Sequence, residues 1–160
     1  MLFVIMCVLS YLFGSIPFGF IYGRFFYQQD IRAQGSGNIG ATNAFRLGGS
    51  RLGALTLFSD MAKGMLAIYI AEFFGVLSCD MYYVAALAIA GHIFPVWLQF
   101  KGGKGIAVAF SVIFMLAPFC AINLALIWVG IFWQYRISSL ASVLASLSFV
   151  ILALIYDVWF

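Results

Sequence analysis

Long apolar runs without charge constrain this chain more than any other feature of its sequence. The longest covers residues 106–134 and would form about 44 Å of helix at 1.5 Å per residue. Hydrophobic residues make up 66% of the chain and charged residues only 8%, and the mean hydropathy is +1.12. Soluble domains are roughly half apolar and about a quarter charged, so these charges are too few to cover a water-exposed surface. The composition predicts an integral membrane protein.

The apolar runs are continuous, which favours helices over the alternating strands of a membrane β-barrel. We predict an all-α, polytopic membrane protein with about six transmembrane helices, forming a single integral membrane domain over residues 1–160. Two features interrupt the spans: the sequence GSIPFG at residues 14–19, and Pro118 near the middle of the longest run. The first interruption predicts close helix packing or a simple proline kink. The second predicts two short helices. The predicted spans are 2–23, 54–76, 81–98, two helices within 106–134, and 139–156.

The positions of the basic residues predict the orientation in the membrane. Arg24 follows the first span, so the positive-inside rule places the N-terminus outside and residue 24 inside. Two crossings within 106–134 bring Arg136 back to the inner side, and all eight basic residues then face the cytoplasm. The polar segments that converge on that side are 24–53, 99–105 and 134–139.

Asp60 and Lys63 are unusual because they lie within the second predicted span. They are three residues apart and therefore share one face of a helix. Ionisable residues in a span are costly and usually functional, but a structural ion pair near the inner end is an equally good interpretation. The other acids are scattered and predict no metal site, and the net charge of +3 is too small to indicate nucleic acid. Besides Asp60, the acids are Asp30, Glu72, Asp80 and Asp157.

The segment AQGSGNIGATNAFR, residues 33–46, is small, polar and glycine-rich. It matches the G-x-G-x-x-G pattern of dinucleotide-binding folds, but no buried strand precedes it, so we reject that interpretation. Glycines allow positive φ and close approach to a ligand, and successive N–H groups in such a turn can bind an anion. A tight turn between helices is the alternative. The candidate binding residues here are Gly35, Ser36, Gly37, Asn38, Thr42 and Asn43, flanked by Arg32 and Arg46.

A second loop, FKGGKGIA at residues 100–107, interleaves Lys101 and Lys104 with glycines just before a predicted helix. It is not a P-loop, because Gly105 stands where Ser or Thr must bind magnesium. Lysine charge at a helix N-terminus suits a phosphate. Positive-inside anchoring is the competing interpretation, although anchoring would not require three glycines. Those glycines are Gly102, Gly103 and Gly105. His92, the only histidine, is either a structural residue or a phosphate donor and proton carrier.

Five segments, in order along nearly the whole chain, resemble the conserved regions of one protein family. The segments YLFGSIPFG (11–19), DIRAQGSGNIGATNAFR (30–46) and DMAKG (60–64) resemble its first region. GHIFPVWLQFKGGKGIA (91–107) resembles the second, and RISSLAS (136–142) resembles the start of the third. The family is that of the bacterial membrane glycerol-3-phosphate acyltransferases that use acyl phosphate, the PlsY family.

The resemblance implies a multi-pass enzyme of the bacterial inner membrane with its active site on the cytoplasmic side. It would move a fatty acyl group from acyl phosphate to the 1-hydroxyl of sn-glycerol 3-phosphate, giving lysophosphatidic acid and phosphate without a cofactor or metal. The resemblance assigns the loop at residues 101–105 to the phosphate of glycerol 3-phosphate and Ser36 and Arg46 to the essential first region. Ser139 and Ser142 would add hydrogen-bond donors from the third region.

Charge and reactivity agree with that reaction. Two phosphates carry roughly −3 to −4 near pH 7, and Arg32, Arg46, Lys101 and Lys104 supply four positive charges. The mixed anhydride is already activated, so positioning and charge stabilisation matter more than a strong nucleophile. We expect a substrate phosphate to accept the hydroxyl proton while Ser36 and nearby N–H groups orient the reactants. The catalytic candidates are Ser36, Arg46, His92 and Lys104.

Two expectations qualify this assignment. Family members continue into a further span, seven in all, and a tail with an Asn and a Glu, whereas this sequence stops at Phe160; we therefore expect it to lack that span. His92 also cannot begin the H-x-x-x-x-D motif of soluble glycerolipid acyltransferases, because Trp97 occupies the aspartate position. The alternative from another class is a small membrane transporter for an anionic solute, which intramembrane charges and broken helices would also fit.

Overall fold

A computed structural model of the chain describes residues 1–156, so Asp157 lies outside the described residues. Over that range the chain is helical, with no strand, as the long continuous apolar runs predicted. Three short 3₁₀ turns connect the helices, at Ile31–Ala33, Ser78–Asp80 and Val96–Leu98. The α-helices of the described residues are α1 (Leu2–Ser15), α2 (Phe18–Tyr27), α3 (Ala41–Phe73), α4 (Met81–Ile93), α5 (Ile106–Leu116), α6 (Pro118–Tyr135) and α7 (Ser138–Tyr156).

The described helices provide the six predicted apolar segments. Four segments are long and apolar enough to cross a membrane, and α5 and α7 are shorter apolar helices. Pro118 begins α6, a position that tolerates proline because its missing N–H would be unpaired there anyway. Ala117 leaves the helical conformation (φ −148°, ψ 76°), so the predicted division of residues 106–134 into two helices is confirmed. The four long segments are Leu2–Tyr27, Ala41–Phe73, Ser78–Leu98 and Pro118–Tyr135.

The predicted start of the second span at residue 54 was too late. Helix α3 begins at Ala41 and continues through a kink at Gly48 and Gly49, where Gly49 has a φ of +65°. Gly48 and Gly49 themselves have non-helical backbone angles, so two helical stretches meet at this kink, and glycine can adopt the positive φ that the junction requires. Tyr27 Oη donates a 3.0 Å hydrogen bond to the carbonyl oxygen of Gly48, a group that the kink frees. The first turns of α3 therefore carry part of the glycine-rich segment.

The break in the first span packs against α3, as one of the two interpretations predicted. Ile16 is extended (ψ 116°) and precedes Pro17, which disfavours helix for the residue before it. Lys63 Nζ donates a 2.7 Å hydrogen bond to the carbonyl oxygen of Ile16. The last carbonyl groups of a helix have no partner within it, so this lysine satisfies a backbone acceptor that lipid could not.

Small residues bring α1 and α4 close together. A Cβ atom added at Gly14 would collide with the backbone of Ala88, and one added at Gly91 would collide with the backbone of Tyr11. Ser10 Oγ donates a 2.6 Å hydrogen bond across the same interface to the carbonyl oxygen of Val84. Membrane helices lack a hydrophobic drive to associate, so close backbone contact and such hydrogen bonds hold them together. This contact fixes the end of α4, from which His92 projects.

Candidate active site

A cavity of about 720 Å³ lies between the loop before α3, the ends of α4 and α7, and helices α3, α5 and α6. One part of its wall is polar and carries half of the residues predicted from sequence. The remaining wall is apolar and comes from α3, α5 and α6. The predicted residues that line it are Ser36, Asn38, Thr42, Asn43, His92, Lys104, Gly105 and Ser142. The apolar wall includes Leu57, Met61, Phe110, Leu124, Ala125, Val129 and Phe132.

Asn43 organises the glycine-rich loop. Its side chain is buried, and Nδ2 lies 2.9–3.0 Å from the carbonyl oxygens of Ile31, Gln34 and Asn38. Its Oδ1 accepts a 3.0 Å hydrogen bond from the backbone N–H of Ser36. The amide nitrogen has two donors and both are committed within the loop. Although Asn43 reaches the cavity wall, its described bonds hold the loop in shape.

The loop presents a hydroxyl to the cavity more than a row of free N–H groups. Gly35 and Gly37 adopt positive φ values of +54° and +71°, as the glycine pattern predicted. The N–H of Ser36 is bonded to Asn43, and the N–H of Gly37 donates to the carbonyl oxygen of Gln34. The expected anion nest therefore has its first donors already used, whereas the Ser36 side chain is exposed on the cavity wall.

The glycine–lysine loop folds back onto the end of α4. The N–H of Gly102 donates to Ile93 and that of Gly103 donates to His92, at 3.1 and 3.0 Å from the carbonyl oxygens. A side chain at Gly103 would collide with the imidazole ring of His92. This close approach gives the loop a reason for its glycines that positive-inside anchoring does not supply.

Lys104 is the lysine of this loop that reaches the cavity. Its Nζ lies 3.3 Å from Ser138 Oγ at the start of α7. Partial burial, and secondarily the positive charge of Arg46, lower the pKa of the Lys104 ammonium. Arg46 is exposed and outside the cavity lining, but it is near enough to act on Lys104. Lys101 is exposed and is not part of the lining.

Arg32 lies away from the cavity and is paired. Its Nη2 is 2.7 Å from Asp30 Oδ2, and its guanidinium lies 4.7 Å from the ring centroid of Phe20. Hydrogen bonds from Arg32 hold the pKa of Asp30 down at about 2. The remaining predicted residues outside the lining are Gly35, Gly37, Gly102, Gly103 and Ser139. These glycines shape the two loops, and Ser139 is exposed beside Ser138.

Asp60, Lys63 and His92 form a buried polar group beside the cavity. Asp60 Oδ1 lies 2.9 Å from Lys63 Nζ and 3.5 Å from His92 Nδ1. The three residues are 2–3% exposed. The predicted pairing of Asp60 with Lys63 on one helical face is confirmed. Asp60 and His92 also line the cavity, so the pair stands next to the candidate site.

Several residues that line the cavity were not predicted from the sequence. Arg136 and Ser138 belong to the segment RISSLAS, where Arg136 served only as a topology marker, and that match was the signal for both. Arg136 ends α6 with a φ of +57°, and its guanidinium lies 5.1 Å from the ring centroid of Trp133. Trp128 donates through Nε1 to Ser142 Oγ at 3.2 Å. Tryptophan in an apolar run carries no signal for this contact.

The cavity combines positive charge with an apolar wall. Lys104 and Arg136 line it and Arg46 is nearby, while Asp60, the one carboxylate among the lining residues within 1–156, is neutralised by Lys63. A substrate that carries an anionic group beside an apolar chain would match both parts. Hydroxyl groups at Ser36, Ser138 and Ser142 also line the cavity, and Ser138 Oγ lies 3.3 Å from Lys104 Nζ.

Comparison with known proteins agrees with this arrangement. Residues 4–160 match the family described as glycerol-3-phosphate acyltransferase. The chain is 39% identical to the glycerol-3-phosphate acyltransferase of Staphylococcus haemolyticus (strain JCSC1435), over 97% of this chain and 81% of that protein. It is 48% identical to that of Rhodopseudomonas palustris (strain BisB5), over 87% and 70%.

Solved structures show the same architecture. The chain is similar to the crystal structure of PlsY (YgiH), an integral membrane glycerol 3-phosphate acyltransferase, in its glycerol 3-phosphate form, with a TM-score of 0.88 and 37% identity. That match covers 96% of this chain and 77% of the other. The lysophosphatidic acid form gives a TM-score of 0.84 at 36% identity, over 96% and 76%. The chain therefore belongs to the glycerol-3-phosphate acyltransferase family.

Proposed function

We propose that this protein transfers a fatty acyl group from acyl phosphate to the 1-hydroxyl of sn-glycerol 3-phosphate, giving lysophosphatidic acid and inorganic phosphate. The observation that carries the proposal is the single cavity that joins Lys104 and Arg136 to a wall of apolar side chains. Both substrates bear a phosphate, and the acyl donor also bears a long apolar chain. Acyl-chain burial in the apolar part and phosphate binding at the cations would use both halves of the cavity.

The residues take different roles in this proposal. Lys104, Arg46 and Arg136 bind the phosphates and stabilise charge on the departing phosphate. Ser36 orients the glycerol hydroxyl. A substrate phosphate accepts its proton, and the oxygen attacks the acyl carbon while the bond from that carbon to the phosphate oxygen breaks. Ser142 already donates to the carbonyl oxygen of Ser138 at 2.7 Å, so it supports the wall near Lys104.

The same charges support a location for the site. Arg24, Lys104 and Arg136 lie at the ends of apolar segments that the positive-inside rule places at the cytoplasmic side. We propose a bacterial inner-membrane enzyme whose cavity opens at the cytoplasmic side, with the N-terminus outside. Glycerol 3-phosphate would enter from the cytoplasm, and the acyl chain would enter from the bilayer.

Product formation from palmitoyl phosphate and labelled glycerol 3-phosphate tests the proposed reaction. The purified protein should form labelled lysophosphatidic acid and release phosphate, and it should form none from palmitoyl-coenzyme A. Uptake of an anionic solute into vesicles without product formation would instead support the transporter.

The two lysines of one loop provide a matched pair of variants. Lys104→Ala should lower kcat/KM by about 10- to 100-fold, since a hydrogen bond to a charged group contributes about 1.5–3 kcal/mol. Lys101→Ala removes the same charge from an exposed position outside the cavity and should cost much less. Ser36→Ala should also reduce turnover strongly. Equal losses for both lysines, or near-normal turnover without the Ser36 hydroxyl, would contradict these roles.

A further inference from the structure

The group formed by Lys63, Asp60 and His92 is the middle of a series of polar contacts. The series runs from the break in the first span to the glycine–lysine loop. Lys63 joins the Ile16 carbonyl at the break of the first span to Asp60, through contacts of 2.7 and 2.9 Å. Asp60 faces the His92 ring, and the backbone oxygen of His92 accepts the N–H of Gly103. Lys104, which lines the cavity, is the next residue.

The Nδ1 atom of His92 is the unpaired element of this connection. It is buried, and no hydrogen bond to it is formed within residues 1–156. The polar atom it faces is Asp60 Oδ1 at 3.5 Å, slightly beyond hydrogen-bond range. A carboxylate accepts and cannot donate, so only the Nδ1–H form of the imidazole is compatible with this neighbour. The opposite form would point two lone pairs at each other in a buried site.

We infer that Asp60 is a positioning residue that keeps the His92 proton on Nδ1 and holds the ring against the glycine–lysine loop. In the neutral imidazole, Nε2 then carries no proton, and it lies beside Gly103, where a side chain would collide with the ring. Lys63 neutralises the carboxylate, so Asp60 can stay ionised in the interior. Partners that fix the tautomer of a functional histidine act in this way at other protein sites.

The inference rests on the proposed function for its kinetic consequence but not for its structural one. His92 is the only histidine, so the ¹⁵N spectrum of ring-labelled protein with a histidine-free tag reports its tautomer directly. The unmodified protein should show a protonated Nδ1 and an unprotonated Nε2. Asp60 Oδ1 is the atom that contacts both Lys63 Nζ and His92 Nδ1, so Asp60→Leu removes this acceptor and the preference for a proton on Nδ1 should be lost.

Two further variants separate positioning from folding. Glu72→Gln removes an exposed carboxylate from the same helix and should leave the His92 spectrum and turnover unchanged. The double variant Asp60→Leu with Lys63→Met removes the acceptor and both charges, so no unpaired ammonium is buried, and it should also lose the Nδ1 preference.

Kinetics supply the second measurement. Asp60→Leu should lower kcat/KM for glycerol 3-phosphate by about 10- to 100-fold, the loss typical when the partner of a site histidine is removed, because His92 supports the loop that carries Lys104, while the KM for acyl phosphate stays unchanged. An unchanged tautomer in the double variant Asp60→Leu with Lys63→Met, or an Nε2 proton in the unmodified protein, would overturn the inference. If the unmodified protein transferred no acyl group, the proposed function would fail, and the spectra would still decide the role of Asp60.

Discussion

Two clusters in this protein each combine one carboxylate with two basic side chains, and their surroundings make them differ. At the surface, Asp30 contacts Arg24 and Arg32, whose side chains are 55% and 39% exposed. In the helix bundle, Asp60 contacts Lys63 at 2% exposure and faces His92. Water and salt can replace either partner of the surface cluster. In the buried cluster no solvent can replace a lost partner, so the fold requires both members of the ion pair.

The surface cluster has a local task. Asp30 Oδ1 accepts a 2.9 Å hydrogen bond from the N–H of Arg32 and so begins the 3₁₀ turn Ile31–Ala33. This turn leads into the glycine-rich loop that Asn43 organises. The buried cluster instead connects α1, α3 and α4. Local order needs only neighbours in sequence, whereas the contacts of the buried cluster with Ile16 and His92 depend on how the helices pack.

Removal of one cation from each cluster should give the largest difference. Lys63→Met leaves the Asp60 carboxylate buried without its partner and should reduce the free energy of unfolding by about 3–5 kcal/mol. Arg24→Met removes an exposed partner of Asp30 and should cost at most about 1 kcal/mol. Reversible unfolding of both variants in detergent measures the two values. Similar losses would show that burial does not separate the clusters.

Acid should weaken the surface cluster in a defined range. The folded-state pKa of Asp30 is about 2, below its usual value of 3.8, so the paired carboxylate stabilises the fold fully above about pH 4. That contribution, about 1 kcal/mol for a solvent-accessible ion pair, should disappear as the pH falls from about 4 to 2. Comparison of unfolding free energies for the unmodified protein and Asp30→Asn over this range isolates it. A difference that grows as the pH falls would contradict the assignment.

Salt should have the smallest effect and should act on one cluster only. Because the screening length falls to about 3 Å at 1 M salt, the cost of Arg24→Met should shrink by a few tenths of a kcal/mol. The cost of Lys63→Met should stay the same, since its partners are buried away from the ions. Unfolding of both variants at about 0.1 M and 1 M sodium chloride compares them. Equal salt sensitivity would indicate that water reaches Asp60.

Much of the fold was predictable because lipid leaves few choices. Apolar runs of sufficient length must form helices in a membrane, and Pro118 must end or begin one. The start of α3 was missed because Gly48 and Gly49 bend the helix where a sequence pattern suggests an end. No local sequence feature distinguishes a kink at two glycines from the end of a helix. The hydrogen bond from Tyr27 Oη in α2 to the carbonyl oxygen of Gly48 stabilises this bend.

The candidate site was predictable in its loops and less so in its walls. Glycines beside Ser36 and Lys104 signalled close approach and charge, and the family resemblance ordered these segments. The contact between Asp60 and His92 joins helices that are distant in sequence, and neither residue type predicts it. Arg32 and Lys101 resemble the other cations in sequence, but the fold leaves them outside the cavity lining.

Local sequence is sufficient to specify a helical membrane protein with two glycine-rich polar loops. Hydrophobicity and the conformational freedom of glycine act within each segment of the chain. Tertiary structure alone decided which charges face the cavity, which are neutralised, and which hold other groups in place. Those outcomes depend on how closely the helices approach one another. Small residues such as Gly14 and Gly91 allow the close approach of α1 and α4. The energy of a charge depends on its surroundings, so packing gave Asp30 and Asp60 different roles.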